Sequence, residues 1–247
     1  MPEKTMDTTT PASAVTSRLK ELDWQLVCDE LDRQGFAVIE RLLQAEQARS
    51  LMALYDRDEL FRKRIIMGNH GYGRGEYKYF NYPLPDLVSE LRTMVYPQLV
   101  ELGNRWNETM KIPVRYPAVY ADFLARCHEA GQVRPTPLLL RYGADDFNCL
   151  HQDLYGEHVF PVQLAVLLSS PGEDFTGGEF IMTEQRPRMQ TKPLVVPLKR
   201  SDGVIFAVHQ RPVKGSRGYY RVNMRHGVSR IIDGSRHTLG VIFHDAK

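Results

Sequence analysis

The sequence predicts an α+β protein in which N-terminal helices pack on a jelly-roll β core. Apolar residues recur at helical spacing near the N-terminus. From Pro137 onward the texture changes to short apolar stretches, and turn signals separate these at regular intervals. The 247 residues, 43% hydrophobic, are enough for one sizeable core. Residues 1–16, rich in Thr, Ser and Pro, are expected to fray. Residues 17–247 are expected to form a single domain, with a helical flank over 17–136 and the β core over about 137–247.

Along the flank, Leu19, Leu22, Leu26, Val27 and Leu31 give one helix over 17–34, which Gly35 stops. A short strand follows at 36–40. Further helices are expected over 44–58 and over 85–110, the latter with a possible break at Pro97. In the core, 138–142, 162–168, 179–182, 194–198, 204–208, 220–224 and 238–243 read as strands. Gly143 to Asp146, Pro171-Gly172, Gly177-Gly178, Asp202-Gly203 and Asp233-Gly234 separate them.

The formal charge of +2 rules out a polycation, so nucleic-acid binding would need a local patch. Residues 61–82 offer one. Arg62, Lys63, Arg64, Arg74 and Lys78 interleave with Tyr72, Tyr77, Tyr79, Phe80 and Tyr82 around three glycines. The segment reads as a long loop or hairpin, and its glycine spacing is not that of a dinucleotide site. Arg74, Tyr77 and Tyr79 are its candidates for contacting phosphates and stacking an extruded base. The competing reading packs these tyrosines on the barrel and leaves the charges to water. Cys28, Cys127 and Cys149 have neither metal-finger nor disulfide spacing, which suits a reducing cytoplasm. No apolar run reaches the roughly 18 residues of a membrane span. No membrane association and no obligate protein partner is expected.

His151-Gln152-Asp153 places an imidazole and a carboxylate two residues apart, on the same side of an extended segment. Alone this pair is weak. With His226 on a later strand it becomes the two-histidine, one-carboxylate face that holds Fe(II) and leaves positions open for a chelating 2-oxo acid and for O2. Arg236 can pair with the distal carboxylate of 2-oxoglutarate, and Tyr142 can add a hydrogen bond to it. Strand parity imposes a condition. In a simple hairpin turning at Asp233-Gly234, His226 and Arg236 would face opposite sides, so the chain must cross between sheets or bulge there. His158, His209, His237 and His244 are read as structural.

These residues resemble the 2-oxoglutarate/iron dioxygenase superfamily over about 137–245. The likeness rests on Leu139 to Asp153, on Leu164 to Leu168 leading into Phe175-Thr-Gly-Gly-Glu-Phe180, and on His226-Gly-Val followed by Gly234 to Leu239. The resemblance implies a double-stranded β-helix and the metal and cosubstrate roles above. The Gly-Gly-Glu turn looks like that of prolyl-hydroxylase-like members. Arg141-Tyr142 followed by Leu150-His-Gln-Asp153 is similar to AlkB-type alkylation-repair enzymes, and the whole chain resembles a bacterial oxygenase family assigned to oxidative demethylation of damaged DNA. A second arginine of AlkB-type enzymes is replaced here by Ile242. The implied chemistry couples decarboxylation of 2-oxoglutarate to hydroxylation of a C–H bond. Single-stranded or damaged DNA is the expected partner, and a protein, peptide or small-molecule hydroxylase is the alternative.

Overall fold

The apolar stripe near the N-terminus forms two helices rather than one. In the computed structural model, which describes residues 14–247, α1 spans Ala14–Lys20 and α2 spans Trp24–Gln34. The break falls where Asp23 accepts a hydrogen bond from the Leu26 N–H at 3.0 Å. A short acid is worth more as an N-cap than inside a helix, so it restarts the helix at the site of the expected continuous one. Gly35, at φ 84°, ends α2 as anticipated. Of the expected frayed segment, residues 1–13 lie outside the described residues, while 14–16 already belong to α1 and Val15 is buried.

Helix α3 (Ala45–Ala53) is shorter than expected, and α4 (Asp86–Thr109) runs unbroken through Pro97. Pro97 faces solvent while Val95, Tyr96, Leu99 and Val100 are buried. The backbone bond it forfeits is thus on the wet side, and the packed face carries the helix through. Helix α5 (Tyr120–Glu129) was not anticipated, although Tyr120, Phe123 and Cys127 bury one face at helical spacing.

Two sheets form the core. The major sheet contains β1 (Phe36–Ile39), β2 (Phe61–Ile66), β4 (Glu76–Phe80), β5 (Leu138–Tyr142), β7 (Val162–Leu167), β11 (Gly203–Ala207) and β15 (Arg236–Val241). Its order is β1-β11-β7-β15-β5-β4-β2. The minor sheet contains β3 (Gly73–Arg74), β6 (Phe147–His151), β9 (Phe180–Gln185), β10 (Lys192–Val196) and β13 (Gly218–Val228), in the order β10-β9-β13-β6-β3. An added strand, β12 (Gln210–Gly215), pairs with β13, and β8 (Phe175–Gly177) pairs with β14 (Ile231–Gly234). Their inner faces meet at contacts such as Phe180 on Phe206, ring centroids 5.0 Å apart. This is the jelly roll the sequence predicts. It also meets the parity condition, since β13 and β15 lie in different sheets and the chain crosses between them through β14.

Residues 61–82 form the hairpin of the two expected alternatives, β2 pairing antiparallel with β4, and the long connection between them carries a further strand. Strands β2 and β4 extend the major sheet beyond β5, while β3 between them pairs with β6 of the minor sheet. The segment is a strap tied to both sheets. Gly73 makes the crossing possible: its φ is 123°, and a Cβ there would lie 2.4 Å from the Phe147 carbonyl oxygen.

The C-terminal segment is fixed by a buried pair, Arg92 to Asp245 at 2.6 Å, next to fully buried His244. The Nδ1 of His244 accepts from the Phe160 N–H at 3.3 Å. Burial, reinforced by the Arg92 charge, pushes the His244 pKa down to about 3. An unfolded histidine protonates near pH ~6.5, so below that pH the unfolded chain binds the extra proton first. This contribution to stability is complete above pH ~6.5 and is lost on acidification, by up to about 1.4 kcal/mol per pH unit. Melting temperatures at pH 7 and pH 5 should therefore differ less in His244→Asn than in the wild type. Equal differences would refute the assignment.

Candidate active site

Cross-strand register builds the centre of the site. His151, the last residue of β6, is paired with His226 of β13. Neighbouring strands therefore bring both rings to one face, with centroids 4.2 Å apart. Asp153, two residues on, places Oδ1 3.4 Å from His151 Nε2 and Oδ2 3.3 Å from His226 Nε2. One ligand atom from each residue lies within 4.8 Å of the others, the clustering a single ion requires.

The donor chemistry fits a divalent metal. His151 Nδ1 stands 2.8 Å from the Cys149 carbonyl oxygen. A carbonyl only accepts, so Nδ1 carries the hydrogen and Nε2 presents its lone pair to the site. Burial and the neighbouring His151 push His226 down, which keeps it neutral as a ligand must be. Burial opposes ionisation of Asp153, but its close contacts with the His151 and His226 ring nitrogens overcome it and hold the carboxyl well below the usual range. Tyr155 Oη donates to Asp153 Oδ1 and Gln163 Nε2 to Oδ2, both at 2.7 Å.

Arg236 begins β15 opposite Tyr142 of β5 and is 2% exposed. Its Nη1 donates to Thr238 Oγ1 at 2.6 Å, while its Nε has no partner and no carboxylate among the described residues pairs with it. Burial lowers its pKa to about 10, so it stays charged at neutral pH. A buried cation with unsatisfied donors is expensive unless an anion answers it, and a carboxylate is the geometric match. The Gly177-Gly178 turn serves this residue: a Cβ on Gly178 would lie 3.1 Å from Arg236 Cδ and 2.3 Å from Ile231 Cδ1. The Arg236 guanidinium carbon lies 5.9 Å from the centroid of the Tyr142 ring.

The triad, Arg236 and Tyr142 all line one cavity of about 410 Å³. Of the three residues expected to meet substrate, the structure brings in two. Tyr77 and Tyr79, on the same face of β4, line the cavity. Arg74 does not: its side chain is mostly exposed and pairs with Asp146 at 3.2 Å. The strap crosses to the minor sheet at that residue, which turns it outward. Gln163, Tyr155, Asn148 and Thr238 were missed. Gln163 was legible as the only polar residue in Val162-Gln-Leu-Ala-Val-Leu167, and Thr238 as the same-face neighbour of Arg236. Asn148, whose Nδ2 donates to Tyr142 Oη at 3.3 Å, carries no local signal.

A model of the Oxygenase-NA family, described as an oxygenase catalysing oxidative methylation of damaged DNA, matches residues 75–246. An uncharacterized protein of Mycobacterium tuberculosis is 42% identical over 190 residues, 75% of this chain and 82% of the relative. Solved structures share the fold at low identity. A prolyl-4-hydroxylase of Pseudomonas putida superposes with a TM-score of 0.53 at 14% identity, covering 88% of this chain and 96% of its own. An oxidoreductase of the 2OG-Fe(II) oxygenase family from Burkholderia pseudomallei gives 0.53 at 14%, covering 92% and 93%.

Proposed function

This chain belongs to the Oxygenase-NA family and is an iron(II)- and 2-oxoglutarate-dependent oxygenase, and we propose that it acts on alkylated nucleic acid, removing N-methyl groups by oxidation. The observation that carries the substrate reading is the make-up of the cavity mouth. Arg62, Lys63, Arg134 and Lys247 stand with Tyr77 and Tyr79 in the lining, and among the described lining residues Asp153, the metal ligand, is the only acidic side chain. Cations suit a phosphate backbone, and tyrosine rings suit an unstacked base. The wall behind them is apolar, with Ile65, Leu138 and Ile242 packed on Tyr79. Ile242 thus replaces a charge with a surface fit for a flat ring or its methyl group.

Bound iron, with 2-oxoglutarate and O2, supplies the oxidising power that converts a methyl C–H to C–OH as succinate and CO2 are released. The chain's own residues do the rest. His151, Asp153 and His226 hold the metal on one face, and Tyr155 and Gln163 steady the Asp153 carboxylate. Arg236 takes the distal carboxylate of 2-oxoglutarate, with Tyr142 and Thr238 beside it. Burial of these groups excludes water and strengthens each contact. Tyr77 and Tyr79 orient the substrate so that its methyl group points inward. An N-hydroxymethyl product then breaks down to formaldehyde and the demethylated base.

A succinate-release screen across methylated single-stranded DNA, methylated RNA, peptides and amino acids tests this. Stimulation by the methylated nucleic acids is expected, with formaldehyde formed in step. Stimulation by peptides alone would instead make the protein a peptide hydroxylase. Within the strap, Tyr77→Ala should lower stimulated turnover by about 5- to 150-fold, a stacking contact being worth about 1–3 kcal/mol. Arg74→Ala should change it by less than about twofold, because that side chain lies outside the cavity. The reverse ranking would refute the assignment of the tyrosine wall.

A further inference from the structure

Beyond the three ligands, Gln163 touches both Asp153 and His226. It projects from β7 of the major sheet across to the ligands and is 6% exposed. Its Nε2 donates to Asp153 Oδ2 at 2.7 Å and stands 3.3 Å from His226 Nε2. Chemistry fixes this orientation, since an ionised carboxylate accepts and never donates, and the amide nitrogen must therefore face Asp153. The carbonyl Oε1 is left buried without a partner. A glutamine kept for core stability alone would not leave a buried acceptor unanswered on a strand otherwise built of Val, Leu and Ala.

The two histidines are also held differently. His151 is steadied by the Cys149 carbonyl through its Nδ1, whereas His226 Nδ1 is buried with no partner. Among the described residues, the polar contacts of the His226 ring outside the neighbouring His151 ring are therefore Asp153 and Gln163, and the rings of Phe206 and Phe180 supply only packing. An amide N–H aimed at Nε2 is favourable when that nitrogen carries a lone pair, which is the form that ligates a metal.

We propose that Gln163 is a positioning residue for the metal. Its amide bridges Asp153 and His226 before the ion arrives, holding the two at ligating separation with the Nε2 lone pair directed inward. On metal binding it cedes His226 to the ion and keeps its bond to Asp153. Tyr155 holds the other oxygen, so the carboxylate stays gripped whichever oxygen binds. The inference rests on the triad being the iron site.

The test is titration of metal-free protein with Co(II) and with Mn(II), followed by intrinsic fluorescence and by the visible spectrum of the Co(II) form. Wild type, Gln163→Leu and Gln163→Met are compared, and each metal-free melting temperature is recorded. Both variants should weaken metal binding about 10–100-fold, the usual effect of losing a group that orients a ligand. The Co(II) spectrum should change with them. Metal-free melting should change little, because each variant removes the unsatisfied carbonyl together with the amide bond to Asp153, and the two effects offset each other. Wild-type metal affinity in both variants, or lowered metal-free melting with unchanged affinity, would overturn the proposal and leave Gln163 a core residue. Failure of the wild type to bind either metal would overturn the triad reading itself, and this inference with it.

Discussion

Asp153→Ala abolishes metal binding and 2-oxoglutarate turnover while the fold persists. Asp153 contributes the only carboxylate of the cluster, and it is gripped by Tyr155 and Gln163 so that its oxygens face both histidines. Groups that merely orient a ligand are worth about 10–100-fold in affinity, so loss of the ligand itself should exceed that. Two imidazoles remain, but the negative charge that holds a hard divalent ion is gone. Calorimetric titration with Mn(II) should show no binding at concentrations that saturate the wild type. The metal-dependent rise in melting temperature should vanish as well, because a metal stabilises only what it binds. Binding and turnover retained at wild-type levels would refute the triad.

Arg236→Met has a different signature. Arg236 is buried, charged at neutral pH and without a direct ion pair among the described residues, Glu179 acting on it only at longer range, so it is a cost to the metal-free fold. Methionine keeps an unbranched apolar stem in a similar space. Metal-free stability should therefore hold or rise, by up to a few kcal/mol where a buried charge is replaced by well-packed apolar atoms. Affinity for 2-oxoglutarate should fall by about 30-fold to several thousandfold, since truncating one partner of a buried charge pair costs about 2–5 kcal/mol. Metal affinity should barely move, because no hydrogen bond joins Arg236 to the triad. A variant that binds 2-oxoglutarate normally, or loses metal in parallel, would sink this assignment.

Most of this site was readable from residue types. His151, Asp153, His226 and Arg236 are rare donor chemistries, and spacing together with strand context narrowed their role. Strands that are apolar at nearly every position, such as β7 and β11, were equally legible because burial on both faces writes itself into composition. Strand β6 was not. Phe147, Cys149 and Leu150 are exposed around half-buried Asn148 and His151, so no alternation marks it. Strand β12 hid behind Pro212 and Gly215, residues that disfavour central strands but are tolerated in one that pairs on a single side. The helix break at Asp23 turned on a single cap, a short-range competition that the apolar stripe outweighed on paper.

The sequence by itself determined which atoms could hold a metal and a dicarboxylate, because ligand chemistry belongs to the side chain. Whether those atoms meet was decided by the tertiary structure. On one ribbon, the period-two alternation of strands would have set His226 and Arg236 back to back. They share a cavity because β13 and β15 lie in opposite sheets whose inner faces oppose each other. The same long-range packing turned Arg74 out to Asp146 and brought Gln163 in from the facing sheet to Asp153 and His226. The contacts to Asp146 and His226 join residues far apart in the chain, and the free energy that selects them comes from burying the two inner faces together, which no local pattern encodes.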